Sequence, residues 1–360
     1  MPDPIPQEYQ VYDPARHEIR VVVIQPPRHR YWLNALLLLA TVLTTLCIGA
    51  RMQYGFDHNI GLFSQDVDGW PWLWVFEDWH RLGLGITYSA CVLGILGAHE
   101  LGHYVLCVMR RVFATLPFFI PAPTLIGTLG AFIRIKSPLR SRADLFDIGI
   151  GGPIAGFVVA VPVLIFGLLA SKPLTGEALM NATPDNSLVL GFPLIFKLAH
   201  WALGAVGVHS AAVQAPLNGL YLHPAAVGAW IGMLATALNL LPGGQLDGGH
   251  IIFAVNPRLH RPISFLSIAV LLALSWFYWT GWLLWAVVLR FTGSRHPDVP
   301  IAPPLNRTRR VLAVFALIML VLTLAPAPFV GPDSSLKGSL NKWRADRQQQ
   351  NQQQHTAPSK

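Results

Sequence analysis

Apolar residues along this chain fall in long blocks rather than at alternating positions. Four uninterrupted runs stand out: 32–50, 83–108 (GLGITYSACVLGILGAHELGHYVLCV), 148–169 and 224–241. About 20 helical residues cross the ~30 Å hydrocarbon layer, so each run predicts a spanning helix. The first follows a polar, Pro-bearing leader (1–31) too long for a cleaved signal peptide and is expected to remain as a helix. Run 188–207 is broken by Pro193, Lys197 and His200, which predicts an interfacial or re-entrant piece. Run 263–291 is broken at Thr280-Gly281 among Trp276, Tyr278, Trp279, Trp282 and Trp285. That break predicts two short helices joined at the outer interface; the rival, one long helix, would carry Arg295, Arg307, Arg309 and Arg310 outside, against the positive-inside rule. A last span covers 311–324, and the tail after Pro326, ending QQQNQQQHTAPSK, is predicted to be disordered. Gly127–Ile135 (GTLGAFIRI) alternates and follows LPFFIPAPT, a strand pattern. The expected fold is an all-α polytopic membrane protein with about six to seven transmembrane helices and a small membrane-associated β-hairpin or sheet.

Composition agrees: 53% of residues are hydrophobic and 12% charged, mean hydropathy is +0.46, and 12 of 360 residues are Trp. The net charge of +8 reflects topology, because the basic residues flank apolar spans and form no aromatic-interleaved patch; no nucleic-acid partner is expected. Arg110, Arg111, Arg134, Lys136, Arg140 and Arg142 follow the second run, and Arg258 and Arg261 follow the fourth, which marks these ends as cytoplasmic. Asp57, Asp66, Asp68, Glu77 and Asp78 among Trp70, Trp72, Trp74 and Trp79 suit an outer interfacial loop, and 171–187 reads as a polar loop. In the third run the small residues of GIGGPIAGF predict a face that another backbone approaches closely. Cys47, Cys91 and Cys107 all lie in apolar runs without a CxxC, so neither a disulfide framework nor a Cys zinc site is indicated.

The second run carries chemistry. His99-Glu100-Leu101-Gly102-His103 puts two imidazoles four residues apart on one helix face, where both reach one metal ion, with Glu100 placed to take a proton from bound water. A satisfied buried polar cluster is the competing reading; ionisable groups in a span cost about 3 kcal/mol each, which favours a functional purpose. A catalytic zinc usually has three protein ligands and one open position. Asp247, in Asn239-Leu-Leu-Pro242-Gly-Gly-Gln-Leu-Asp247-Gly-Gly-His250 at the cytoplasmic end of the fourth span, is the candidate third ligand by depth and chemistry; a helix-end Asp-Gly turn is its alternative. His250 is expected to orient Asp247 or to face the cytoplasm, since a fourth ligand would close the water position. Asn239 is placed to hold a backbone group or a developing oxyanion, or else to cap or join helices.

These two motifs, about 140 residues apart and both in apolar surroundings, resemble those of the site-2 protease family of intramembrane zinc proteases, whose second hallmark is N-x-x-P-x-x-x-L-D-G. The resemblance covers about 83–250 and is greatest, through GTLGAFIRI, DIGIGGPIAGF and HPAAVGAWIGMLATALNLLPGGQLDGGH, to the bacterial and plastid branch without a conventional PDZ module. It implies one Zn2+ per chain held by His99, His103 and Asp247, with Glu100 as general base, and hydrolysis of peptide bonds in or near transmembrane helices. Strand 127–135, with Gly127 and Gly130, would then pair with an unwound substrate segment, or simply cover the site. The organisation implied is a cytoplasmic segment 1–31, a membrane protease domain 32–326 with its core at 83–250, and the tail 327–360. The implied partner is a single-pass membrane protein, such as an anti-sigma factor or similar tethered regulator cut first by a site-1-type protease, in a bacterial inner membrane with the site toward the cytoplasm. A metal or ion transporter and a proteolytically inactive membrane chaperone are the competing classes; neither requires a Glu between the two His residues as a general base.

Overall fold

The computed structural model describes residues 7–13, 18–24, 30–60, 71–174, 189–291, 299, 304–331 and 334–356. The leader, expected only to be polar, forms an antiparallel hairpin of β1 (Gln7–Asp13) and β2 (Glu18–Ile24), the second strand rich in β-branched residues. Then come α1 (Tyr31–His58), the short α2 (Pro71–Glu77), a 3-10 turn (Trp79–Gly85) and α3 (Ile86–Met109), which carries the His-Glu pair. Much of the expected outer loop is therefore helical; its portion 61–70 lies outside the described residues.

A second hairpin, β3 (Phe118–Pro121) and β4 (Thr128–Phe132), pairs Phe118 with Phe132 and Phe119 with Ala131, with an irregularity before Pro121 opposite Thr128. It is clamped between two helices. From α1, Thr44 Oγ1 donates to Gly127 O at 2.6 Å and Asn34 Nδ2 donates to Pro117 O at 3.0 Å; from α3, Tyr88 OH donates to Ile126 O at 2.8 Å.

Helix α4 (Arg142–Ala170) starts earlier than the apolar run because Ser141 caps it, its Oγ accepting from Asp144 N at 3.1 Å. Helix α5 (Leu194–Ala205) is about 18 Å long, too short to cross, with Phe196 buried and Trp201 70% exposed, as its broken pattern predicted. Helix α6 (Pro224–Asn239) buries thirteen of its sixteen residues against α3 and α4. After a loop come α7 (Asp247–Val255), α8 (Pro257–Phe277), α9 (Gly281–Phe291), α10 (Arg307–Thr323) and α11 (Leu336–Thr356). Asp247 thus opens a new helix rather than closing the fourth span. Among the described residues, Tyr31–His58, Trp79–Met109, Arg142–Ala170 and Pro257–Phe277 are long and apolar enough to cross a membrane, with α5, α6 and α9 as shorter apolar helices.

Helices α3, α4 and α6 form the core, at backbone range where glycines permit it. A Cβ on Gly232 would meet the Ile95 side chain at 2.5 Å, and one on Gly102 would meet Gly151 O at 2.5 Å. Helices α8 and α9 fold back on each other as expected, although α8, at 21 residues, is long enough to cross where two short helices were expected: a Cβ on Gly243 would touch Ser264 at 3.1 Å and Leu289 at 3.0 Å, so the two helices run antiparallel past one point. That arrangement returns the chain toward the Arg-rich side before α10, which at 17 residues with three arginines in its first turn is not among the helices long and apolar enough to cross, a correction to the span expected at 311–324; the tail packs beside the start of α9. There Trp282 Nε1 donates to Pro326 O at 2.7 Å, and Phe329–Val330 pairs with Val189–Leu190.

The expectation of a disordered tail is corrected over Leu336–Thr356, which is helical. Its Gln, Arg, Lys and Ala residues are good helix formers despite their polarity, and Arg347 lies 4.3 Å over the ring of Trp343 one turn earlier.

At the Arg-rich end, Asp147 of α4 binds α3 and α10 together. Arg309 grips it with both nitrogens, Nε to Oδ1 at 2.7 Å and Nη2 to Oδ2 at 2.8 Å, and Arg110 donates to the same carboxylate. Asp147→Asn removes the charge that both guanidiniums share. The substitution is expected to cost about 2–3 kcal/mol and to lower the thermal unfolding midpoint of the detergent-solubilised protein; an unchanged midpoint would contradict this role.

Candidate metal centre

His99 and His103 sit on successive turns of α3 with their rings buried, at 4% and 7% exposure, and Asp247 reaches them from α7. Asp247 Oδ2 lies 3.2 Å from His99 Nε2 and 3.2 Å from His103 Nε2. One ligand atom from each of the three falls within 4.8 Å of the others. Zn–N and Zn–O bonds of about 2.1 Å in a tetrahedron place neighbouring donors about 3.4 Å apart, so this spacing fits a single zinc ion. The protonation pattern fits as well. His103 Nδ1 stands 2.6 Å from Ile148 O, and since a carbonyl only accepts, Nδ1 carries the proton, which leaves Nε2, beside Asp247, as the nitrogen that can bind a metal.

Helix α4 seats both imidazoles on glycines. A Cβ on Gly152 would collide with the His103 ring, and one on Gly156 would stand 3.2 Å from His99 Cβ. The two glycines share the four-residue spacing of the two histidines, so one helix turn of α4 cradles one helix turn of α3. The small residues of GIGGPIAGF were expected to admit a backbone; at Gly152 and Gly156 they admit metal-ligand rings instead.

Asp247 is placed by the Leu240–Leu246 connection, which lies on α8. His260 Nε2 donates to Gly244 O at 3.0 Å, Ser264 Oγ accepts from Gly244 N at 3.3 Å, and Ser267 Oγ donates to Pro242 O at 2.8 Å. Gly244 adopts φ +58°, a left-handed turn that glycine takes without strain. His260, Ser264 and Ser267 escaped the sequence reading. Their three- and four-residue spacing on one helix face is a signal only once the partner loop is known.

Glu100 is buried at 6% exposure, and its carboxyl stands beside the backbone N–H of Ile133 just after β4. Asn239 Nδ2 lies 3.2 Å from His99 Nε2, so its amide borders the ligand group directly. Both residues line a cavity of about 590 Å³ with Arg134, Gln245, Asp247 and His250, opening toward the Arg-rich side. His250 packs over Gly149 one turn beyond Asp247. Gly130, at φ +102°, lines a second cavity beside Glu100. Gly127, expected beside it, has a φ of +83° and a would-be Cβ 2.9 Å from Thr45 Cα, and is the point where the hairpin rests on α1.

A polytopic helical protein whose apolar core brings His99, Glu100 and His103 of one helix to an aspartate of another has the form of a membrane metallopeptidase. Residues 87–277 match peptidase family M50, and the chain belongs to that family, the site-2 proteases. Among its relatives, "Probable zinc metalloprotease EGY1, chloroplastic" of Arabidopsis thaliana is 30% identical over 80% of this chain and 53% of its own length. The rice protein of the same name (Oryza sativa subsp. japonica) is 30% identical over 68% of this chain and 40% of its own, and Arabidopsis "Probable zinc metalloprotease EGY2, chloroplastic" is 29% identical over 76% and 47%. The chain spans about half the length of the curated relatives it matches. These relatives are named as chloroplast proteins and lend no support to the bacterial inner membrane expected from sequence; what stands is a multi-pass membrane protein.

Gly152→Ala should displace the His103 ring and weaken zinc binding by about 10- to 100-fold in a chelator competition, whereas Gly156→Ala, with a looser contact, should cost less. Equal affinities for wild type and Gly152→Ala would contradict the cradle.

Proposed function

We propose that this chain is an intramembrane zinc endopeptidase that hydrolyses peptide bonds in or near transmembrane segments of membrane-anchored proteins. The observation that carries the reading is the burial of Glu100 beside the His99, His103 and Asp247 ligand group, within apolar helices and at the wall of a cavity open to one side.

Zinc bound there supplies Lewis acidity, lowering the pKa of a coordinated water to about 7 and polarising a peptide carbonyl. The remaining work falls to the protein. Glu100 accepts the proton from the attacking water and passes it to the leaving amine, from a carboxyl that the hairpin keeps away from lipid. Asn239 directs its amide to the oxygen on which charge develops. His103 is held in the ligating tautomer by Ile148 O. Strand β4 pairs with β3 along one edge, and its other edge is available to an unwound substrate; the exposed Leu129 (69%) and Phe132 (46%) lie along that strand. A substrate helix must unwind first, because its carbonyls are engaged in its own hydrogen bonds.

The substrate class that suits this site is a single-pass membrane protein, for which a tethered regulator such as an anti-sigma factor, trimmed beforehand by a site-1-type protease, is the kind suggested by family resemblance. A metal transporter is the alternative, and vesicle flux of zinc without cleavage would favour it.

Glu100→Gln should keep one zinc per chain while lowering cleavage by about 10²- to 10⁴-fold. Quantitative comparison of single-pass membrane proteins in cells carrying wild type or Glu100→Gln should then show membrane stubs accumulating only in the mutant. Equal levels of every candidate would contradict proteolysis.

A further inference from the structure

The ligand group stands where two unlike cavities meet. His99, Glu100, Ala131 and Asn239 line both. The larger, about 590 Å³, runs toward the Arg-rich end of the molecule and adds Arg134, Gln245 and His250. The smaller, about 240 Å³, runs the other way, into the bundle between α3, β4, α6 and α9. Beyond the shared residues its walls are apolar apart from two threonines: Ile95 and Leu96 of α3, Leu129 of β4, Gly232 and Ala235 of α6, and Trp285 of α9. Gly232 brings α6 close against Ile95 of α3 at one wall, and the small side chain of Ala235 lines the pocket beside it.

From this geometry we infer that the smaller cavity is a specificity pocket: it takes a medium-sized apolar side chain from the substrate residue that flanks the scissile bond on the membrane-inward side. The residue on the other side lies in the larger cavity, where polar side chains are tolerated. The inference deepens the proteolytic reading and rests on it.

Volume supports the assignment. A cavity of about 150 Å³ holds benzene, so about 240 Å³ holds a Leu, Ile, Met or Phe side chain. Position supports it too. Gly130 and Ala131 of β4 line the pocket and Ala131 also lines the larger cavity, so a chain added along that strand and crossing Glu100 has one residue over the pocket and the next over the polar cavity, because neighbours in a strand point to opposite faces. The scissile bond would therefore lie at the boundary between the apolar span of a substrate and its polar flank, not at mid-span.

The pocket can be resized in both directions without touching the ligand group. Ala235→Phe fills it and Trp285→Ala enlarges it. The probe is a randomised decapeptide library incubated with the detergent-solubilised full chain, with zinc content measured for each variant and cuts read by mass spectrometry. Only cuts absent from the Glu100→Gln control count. Wild type should enrich Leu, Ile, Met or Phe on one side of the cut and accept polar residues on the other. Ala235→Phe should shift that preference to Ala and Gly by about 10-fold, and Trp285→Ala should shift it toward Trp and Tyr. Identical profiles for wild type and a zinc-loaded variant would overturn the pocket while leaving proteolysis intact. An absence of Glu100-dependent cuts in wild type would overturn the proteolytic reading and the pocket with it.

Discussion

One carboxylate oxygen 3.2 Å from two imidazole nitrogens, inside a bundle of apolar helices, is the contact on which this structure turns. Ionisable groups at that depth are costly, and the neighbouring elements answer the cost with specific contacts. Glycines of α4 lie under both rings, a carbonyl of α4 fixes the tautomer of His103, and three polar side chains of α8 hold the loop that leads to Asp247.

The same contact explains the architecture of the hairpin. Clamped by Thr44 from one side and Tyr88 from the other, β3 and β4 lie across α3 at the level of Glu100. Here the irregular backbone has partners in neighbouring helices, which is the condition for non-helical chain at membrane depth. An edge strand, the Glu100 carboxyl and the ligand group thus share one cavity wall. The short α6 gains from the same logic: almost wholly buried, it faces protein instead of lipid and delivers Asn239 to the site.

Much of this was legible in the sequence. The His99/His103 spacing follows from helix periodicity alone, and Asp247 followed from depth and charge once the spans were drawn. The α8/α9 hairpin followed from the Trp-rich break and the distribution of arginines. What stayed hidden depends on pairing between distant segments. The match of Gly152 and Gly156 to the two histidines, the grip of His260, Ser264 and Ser267 on the loop, and the role of Gly127 against α1 are invisible until the helices are placed. The tail misled for a different reason: composition reports that it has little to bury, but Gln- and Arg-rich chain still has the local propensity to form a helix.

The central claim is that two imidazoles and one aspartate from separate helices hold a single zinc. X-ray absorption at the zinc edge on the purified membrane protein tests it most directly. The expected result is one zinc per chain with two imidazole nitrogens, a carboxylate oxygen and a further light atom at about 2.0–2.2 Å, and loss of the carboxylate contribution in Asp247→Ala. A zinc shell without imidazole, or one unchanged by Asp247→Ala, would contradict the account.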